Sequence, residues 1–183
     1  PSRPTFLRYC TKPIRTMQQN ISLTPIRFAE IAEVGVLARS IWREHFTKII
    51  SEAQIEYMLE GRYTEADLVP YIDSTDRWFD VLRVDGVAAG FLRCIRTEPD
   101  EFKVEQIYLA QSQRGKGFGK YLLASAEMRA QALSCRSIFL YVNRRNDEAI
   151  RAYRQFGFAI ESEQVVDIGN GFVMDDYVMR KSL

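Results

Sequence analysis

The chain has 183 residues, enough for one well-cored domain and too few for two of ordinary size. Its 25 Lys and Arg stand against 24 Asp and Glu, a balance that gives no general attraction for nucleic acid or a membrane surface. Cys10, Cys94 and Cys135 show no metal spacing and read as reduced thiols of a cytoplasmic protein, and no apolar run approaches the roughly 18 residues of a membrane-crossing helix.

Residues 1–19 carry Arg3, Arg8, Lys12 and Arg15, no acid and several prolines, and have no helical apolar face. They read as a disordered basic tail, so residues 20–183 are expected to form the single domain. Ile21-Ser22-Leu23 predicts a short strand. Thr24 then reads as a helix cap with Pro25 at the first helical position, and Ile31, Val34, Leu37 and Ile41 recur at helical spacing. Ser51 and Gln54 form a capping-box pattern for a second helix to about Leu59, and Thr64 caps a shorter segment towards Tyr71. Residues 78–84 and 87–95 predict strands joined by the hairpin turn Asp85-Gly86, with a third strand at 102–109. A helix at 117–133, a strand at 137–142, a helix at 146–156 and a closing hairpin at 158–168 and 172–181 complete the order. This is an α/β chain with a mixed, mostly antiparallel sheet and helices on both faces.

The chemistry concentrates where the strand at 102–109 meets the next helix. Gln113-Arg114-Gly115-Lys116-Gly117-Phe118-Gly119-Lys120 places unobstructed amides and positive charge at a helix N-terminus, where the macrodipole and the unpaired N–H groups favour a phosphate. A triphosphate loop would need Gly where Arg114 stands and a hydroxyl where Tyr121 stands. The dinucleotide fingerprint fits Gly115 and Gly117 but meets Lys120 at its third position. The pattern R-x-x-G-x-G on Arg114, Gly117 and Gly119 fits in full. A second motif follows the apolar strand Ser137–Val142: Asn146, Ala149, Tyr153, Gly157 and Phe158 fall in the pattern N-x-x-A-x-x-x-Y-x-x-x-G-F. Asn146 is a good N-cap, Asp147 and Glu148 suit a first turn, and Gly157 suits a helix stop.

The two motifs in this order resemble the GNAT superfamily of N-acetyltransferases. The segments 41–46, 54–59 and 176–181 are similar to its bacterial spermidine/spermine-type branch. The resemblance implies a sheet of about seven strands that splays between the fourth and fifth, with acetyl-coenzyme A (acetyl-CoA) as cosubstrate and no metal. It implies that backbone groups of Ile107, Tyr108 and Leu109 hold the pantetheine arm. The amides of Arg114, Gly115, Lys116, Gly117, Phe118, Gly119 and Lys120 would hold the pyrophosphate, and Asn146 and Tyr153 would complete the coenzyme site. Tyr153 is then the acid for the departing thiolate. Glu105, on the strand beside the reaction centre and on the face of Ile107, is the first choice of base, and His45 is a pocket candidate.

Trp42, Phe46, Tyr57, Tyr63 and Trp78 are candidate walls of the acceptor pocket. Glu44, Glu52, Glu56, Asp175 and Asp176 are the acids available to a polyamine, which would need several of them to converge. The expected activity is direct acetyl transfer to the primary amine of a small molecule, polyamines included. Transfer to protein N-termini or lysines and a catalytically idle acyl-CoA sensor are the alternatives. The partners expected are an amine acceptor and, from the family's habit, a second copy of the chain; nucleic acid and membrane are not expected.

Overall fold

The computed structural model describes residues 19–183, so the basic tail lies outside the described residues apart from its last position. The strands are β1 (Ile21–Pro25), β2 (Arg77–Val84), β3 (Val87–Glu98), β4 (Glu101–Leu109), β5 (Ser137–Asn143), β6 (Ala159–Gly169) and β7 (Phe172–Ser182). The helices are α1 (Ile31–His45), α2 (Glu52–Leu59), α3 (Glu65–Leu68), α4 (Phe118–Ala132) and α5 (Asp147–Gln155). One seven-stranded sheet runs in the order β1-β2-β3-β4-β5-β7-β6, antiparallel except for the parallel pair β4 and β5.

Local chemistry explains most of the boundaries. Asp85 and Gly86 both take positive φ, 52° and 83°, the twist of a two-residue hairpin turn. Ser51 Oγ accepts from the Gln54 amide at 3.2 Å, and Thr64 Oγ1 accepts from the Asp67 amide at 3.4 Å. The Gln54 side chain does not close a capping box; it donates to the Val173 carbonyl at 2.8 Å and ties α2 to β7.

The start of the first helical segment differs from the sequence expectation. Thr24 and Pro25 do not open a helix but extend β1, pairing with Val81 and Asp80. β1 is an edge strand, where the missing N–H of proline is tolerated. Helical structure begins instead beyond Arg27, whose amide donates to Glu30 Oε2 at 2.8 Å.

The sheet buries both faces. On one, α4 and α5 cover Leu82, Leu92, Phe102, Val104, Ile138, Leu140 and Met179 with Phe118, Leu122, Ala126 and Ile150. On the other, Val34, Ala38 and Ile41 of α1, Ile55 and Met58 of α2 and Leu68 of α3 pack over Phe79, Val81 and Phe91. Phe79 and Phe91 stack with centroids 5.0 Å apart and are fully buried. Truncation of such a ring to alanine costs about 3–5 kcal/mol.

Two irregularities shape the site. Pairing of β4 with β5 runs from Glu101↔Ser137 to Val104↔Leu140 and stops, so the strands part over Glu105–Leu109. This is the splay between the fourth and fifth strands. On its other side β4 carries a bulge: Arg93 pairs with Gln106 but Cys94 with Val104, leaving Glu105 without a partner on β3.

Candidate active site

Two cavities meet in the split. The first, about 490 Å³, is walled by Trp42, Phe46, Met58, Glu105, Tyr141 and Asp176 among others. The second, about 410 Å³, lies between the start of α4 and the face of α5 and takes in Arg114, Gly115, Gly119, Lys120, Ala149 and Ala152. Phe46, Ile107, Tyr108, Asn146 and Tyr153 belong to both walls, so a ligand in one cavity abuts a ligand in the other across these residues.

The second cavity has the properties of an anion cradle. Gly117, the N-cap of α4, sits at φ 87°, and no side chain caps the helix. Gly115 sits at φ 72°, and an added Cβ at either glycine would meet no atom within 4 Å. The first amides of α4 are therefore exposed at the positive end of a fifteen-residue helix. Lys120 lines the same cavity. Lys116 instead donates to Gln113 Oε1 at 3.1 Å, the Phe118 ring is buried in the core, and neither lines the cavity.

Arg114 fixes the loop through its side chain. Its Nε donates to the Leu109 carbonyl at 3.3 Å, and its Nη1 lies 2.9 Å from His45 Nδ1. His45 Nε2 lies 3.3 Å from Asn146 Nδ2. Burial, then the charge of Arg114, push the imidazole pKa down, which keeps the ring neutral. His45 thus lines the second cavity and ties the end of α1 to the glycine loop through Arg114, instead of walling the first cavity. Asn146 Oδ1 accepts from the Ala149 amide at 3.3 Å, as its place before α5 predicts.

Tyr153 projects from α5 into the wall shared by both cavities. Burial pushes its phenol up to about 12, so it stays protonated through the physiological range. Ile107, Tyr108 and Leu109 border the second cavity from β4. The Tyr108 ring makes edge contacts with Trp42, Phe46 and Phe91 at centroid distances of 5.9, 5.8 and 5.4 Å, which fixes the floor between the cavities.

Glu105 is not on the face of Ile107. The bulge turns it towards the segment that follows α3, where its Oε2 accepts from Tyr71 Oη at 2.7 Å, and it accepts from Arg93 Nε of β3 at 3.2 Å. Ile107 packs against the opposite core. Of the five aromatic residues named as candidate walls, Trp42 and Phe46 line the first cavity. Tyr63 is buried beneath it, accepting from Trp42 Nε1 at 3.0 Å, while Tyr57 bonds the Ile168 carbonyl and Trp78 packs on Phe102.

Of the five acids named as available to a polyamine, Asp176 alone lines the first cavity. Only 2% exposed, it lines the first cavity with Oδ1 buried and unpartnered among the described residues. Desolvation, then Asp175 beside it, push its pKa up to about 6. Gln106 Oε1 in the same wall is likewise buried and unpartnered among the described residues. Sequence spacing did not point to Gln106 and did not separate Asp176 from the other four acids, because both placements depend on the bulge and on the closing hairpin.

A sheet parted beside a glycine-lined helix start, with a half-buried tyrosine at the parting, is the framework of an acyl-transferring enzyme. Residues 38–158 match the model of the Acetyltransferase (GNAT) family. The chain is 26% identical over 170 residues to an uncharacterized N-acetyltransferase from the pepI 3′ region of Lactobacillus delbrueckii, covering 89% of this chain and 98% of that one. It is 25% identical over 163 residues to a spermidine N(1)-acetyltransferase of Thermoplasma acidophilum, covering 85% and 96%. In fold it is similar to the PaiA N-acetyltransferase of Thermoplasma acidophilum solved with coenzyme A. The TM-score there is 0.77 at 22% identity, over 90% of this chain and 99% of that chain. The chain belongs to the acetyltransferase (GNAT) family and is an N-acetyltransferase.

Proposed function

We propose that the protein transfers acetyl from acetyl-CoA directly to the primary amine of a small molecule, with the thioester in the second cavity and the amine in the first. The observation that carries this reading is the wall common to both cavities, in which Tyr153 stands. A thioester held along β4 would place its carbonyl carbon within reach of an amine from the other side. Attack forms the C–N bond; collapse breaks the C–S bond, and the thiolate takes the proton of Tyr153 Oη. A β4 amide near Leu109, at the free edge of the strand, would hold the oxyanion. The amides and cations of residues 114–120 hold the pyrophosphate, and Asn146 orients the pantetheine arm.

Glu105 stays near this centre, but its carboxylate is held by Arg93 and Tyr71. In this reading it orders the floor of the acceptor cavity, and the departing ammonium proton goes elsewhere. The similarity to a spermidine acetyltransferase makes polyamines candidates, along with other small amines. Thiol release from acetyl-CoA across a panel of amines, with calorimetric binding of the coenzyme alongside, tests the reading. Amine-dependent release supports it; tight binding with no release on any amine favours an acyl-CoA sensor, and no binding overturns the assignment of the glycine loop.

A further inference from the structure

The first cavity is not built for a ligand with several positive charges. Its wall contains three carboxylates, Asp67, Glu105 and Asp176. Arg93 holds two of them: Nη2 and Nη1 bond Asp67 at 2.9 and 3.1 Å, and Nε bonds Glu105 at 3.2 Å. The other acids that a polyamine could have used do not converge on it. Glu56 pairs with Arg43 at 2.9 Å and Asp175 with Arg144 at 3.4 Å, and Glu44 and Glu52 also lie outside the wall. Asp176 is therefore the one carboxylate in this wall without a cation beside it among the described residues.

Two cations in the same wall lack a carboxylate. Arg62 and Lys103 make no ion pair among the described residues, and Lys103 Nζ lies 4.3 Å over the ring of Tyr141. The buried oxygens of Asp176 and Gln106 lack a donor, a state that costs each about 1–3 kcal/mol until one arrives. The unsatisfied groups thus comprise two acceptors in the interior and two cations, charges that a single ligand with one ammonium and one anion would complement.

Resting on the acetyl-transfer reading above, we infer that the acceptor is a small primary amine that carries an anionic group, its ammonium received by Asp176 and Gln106 and its anion by Arg62 and Lys103. The ammonium gives a proton to the Asp176 carboxylate, the neutral nitrogen attacks the thioester carbonyl, and the second proton leaves the nitrogen as the amide forms and restores the one Tyr153 gave to the thiolate. A polyamine would bring a second ammonium into the field of Arg62 and Lys103 with no free carboxylate to meet it.

Thiol release is measured with 4-aminobutanoate, 5-aminopentanoate, α-amino acids and aminoalkylphosphonates, against pentylamine and spermidine, while acetyl-CoA binding is followed by calorimetry. The expected result is a kcat/KM for at least one anionic amine about tenfold or more above both pentylamine and spermidine, the order of one charge-assisted pair. The carboxylate and phosphonate arms identify which anion is taken. In the double variant Arg62→Ala/Lys103→Met this preference disappears, chiefly through KM; Arg62→Ala alone, at an exposed position, serves if the double variant does not fold. Equal or better turnover of spermidine or pentylamine, or a preference that survives the substitutions, overturns the inference. Turnover of pentylamine or spermidine with no preference for an anionic amine overturns the inference alone; acetyl-CoA binding without turnover of any amine, or no acetyl-CoA binding, overturns the acetyl-transfer reading beneath it.

Discussion

Arg114 and His45 meet at 2.9 Å, Nη1 to Nδ1, so the glycine loop is held by a residue from the end of α1. A guanidinium can only donate, so His45 Nδ1 must accept and the ring must be neutral. The folded state therefore depresses the imidazole pKa, through burial first and the Arg114 charge second. A depressed pKa contributes stability that is present above the unfolded value, 6.5, and is lost as pH falls through the folded value.

Thermal denaturation followed from pH 7.5 down to pH 5 is expected to show Tm falling below about pH 6.5. His45→Gln, which cannot titrate, should flatten that part of the profile. An unchanged slope in the variant would show that His45 is not the group responsible.

Asp176 gives the opposite sign. Its folded pKa is raised to about 6 from 3.8, so the folded state holds the proton more tightly and bears the cost of a buried charge at pH 7. Asp176→Asn removes that cost, on the order of 2–3 kcal/mol, and should raise Tm at pH 7, with the gain shrinking towards pH 4. Turnover should fall in the same variant, because it lacks the proton acceptor. A gain over the parent chain no larger at pH 7 than at pH 4 would contradict the desolvated carboxylate.

Tyr153→Phe keeps the ring and deletes the proton. Turnover is expected to drop about a hundredfold while calorimetric affinity for acetyl-CoA stays within a small factor. Full turnover would remove Tyr153 as the acid.

Gly117→Asp places a side chain at φ 87° and a negative charge at the start of α4. The strain is about 1–2 kcal/mol, and the charge opposes a pyrophosphate, so acetyl-CoA affinity should weaken by about tenfold or more. Gly117→Ala, which carries the strain without the charge, separates the two effects. Unaltered affinity in the Asp variant would place the pyrophosphate elsewhere.

The sequence by itself determined the order of the elements, the type of most of them, and the place of the glycine loop at the start of α4. Those signals are local: Asp85-Gly86 is a turn whatever surrounds it, Gly117 opens a helix with no side-chain cap, and Asn146 caps the turn that follows it. The Thr24-Pro25 misreading has the same root, since a proline after a threonine is equally a helix start and the end of an edge strand. Only the pairing of β1 with β2 chooses between them.

Only the tertiary structure decided which carboxylate is left without a partner. Glu105 looked suited to be a base because strict alternation puts it beside Ile107, and one bulged residue reverses that face and delivers it to Arg93. In the sequence Asp176 is one of five acids with nothing to single it out, yet β7 buries it against the split, where desolvation raises its pKa and no cation stands beside it among the described residues. Propensity and capping act over a few residues of chain and can be read along it. Desolvation and ion pairing depend on which distant groups the sheet brings together, and that is fixed only when the strands are in register.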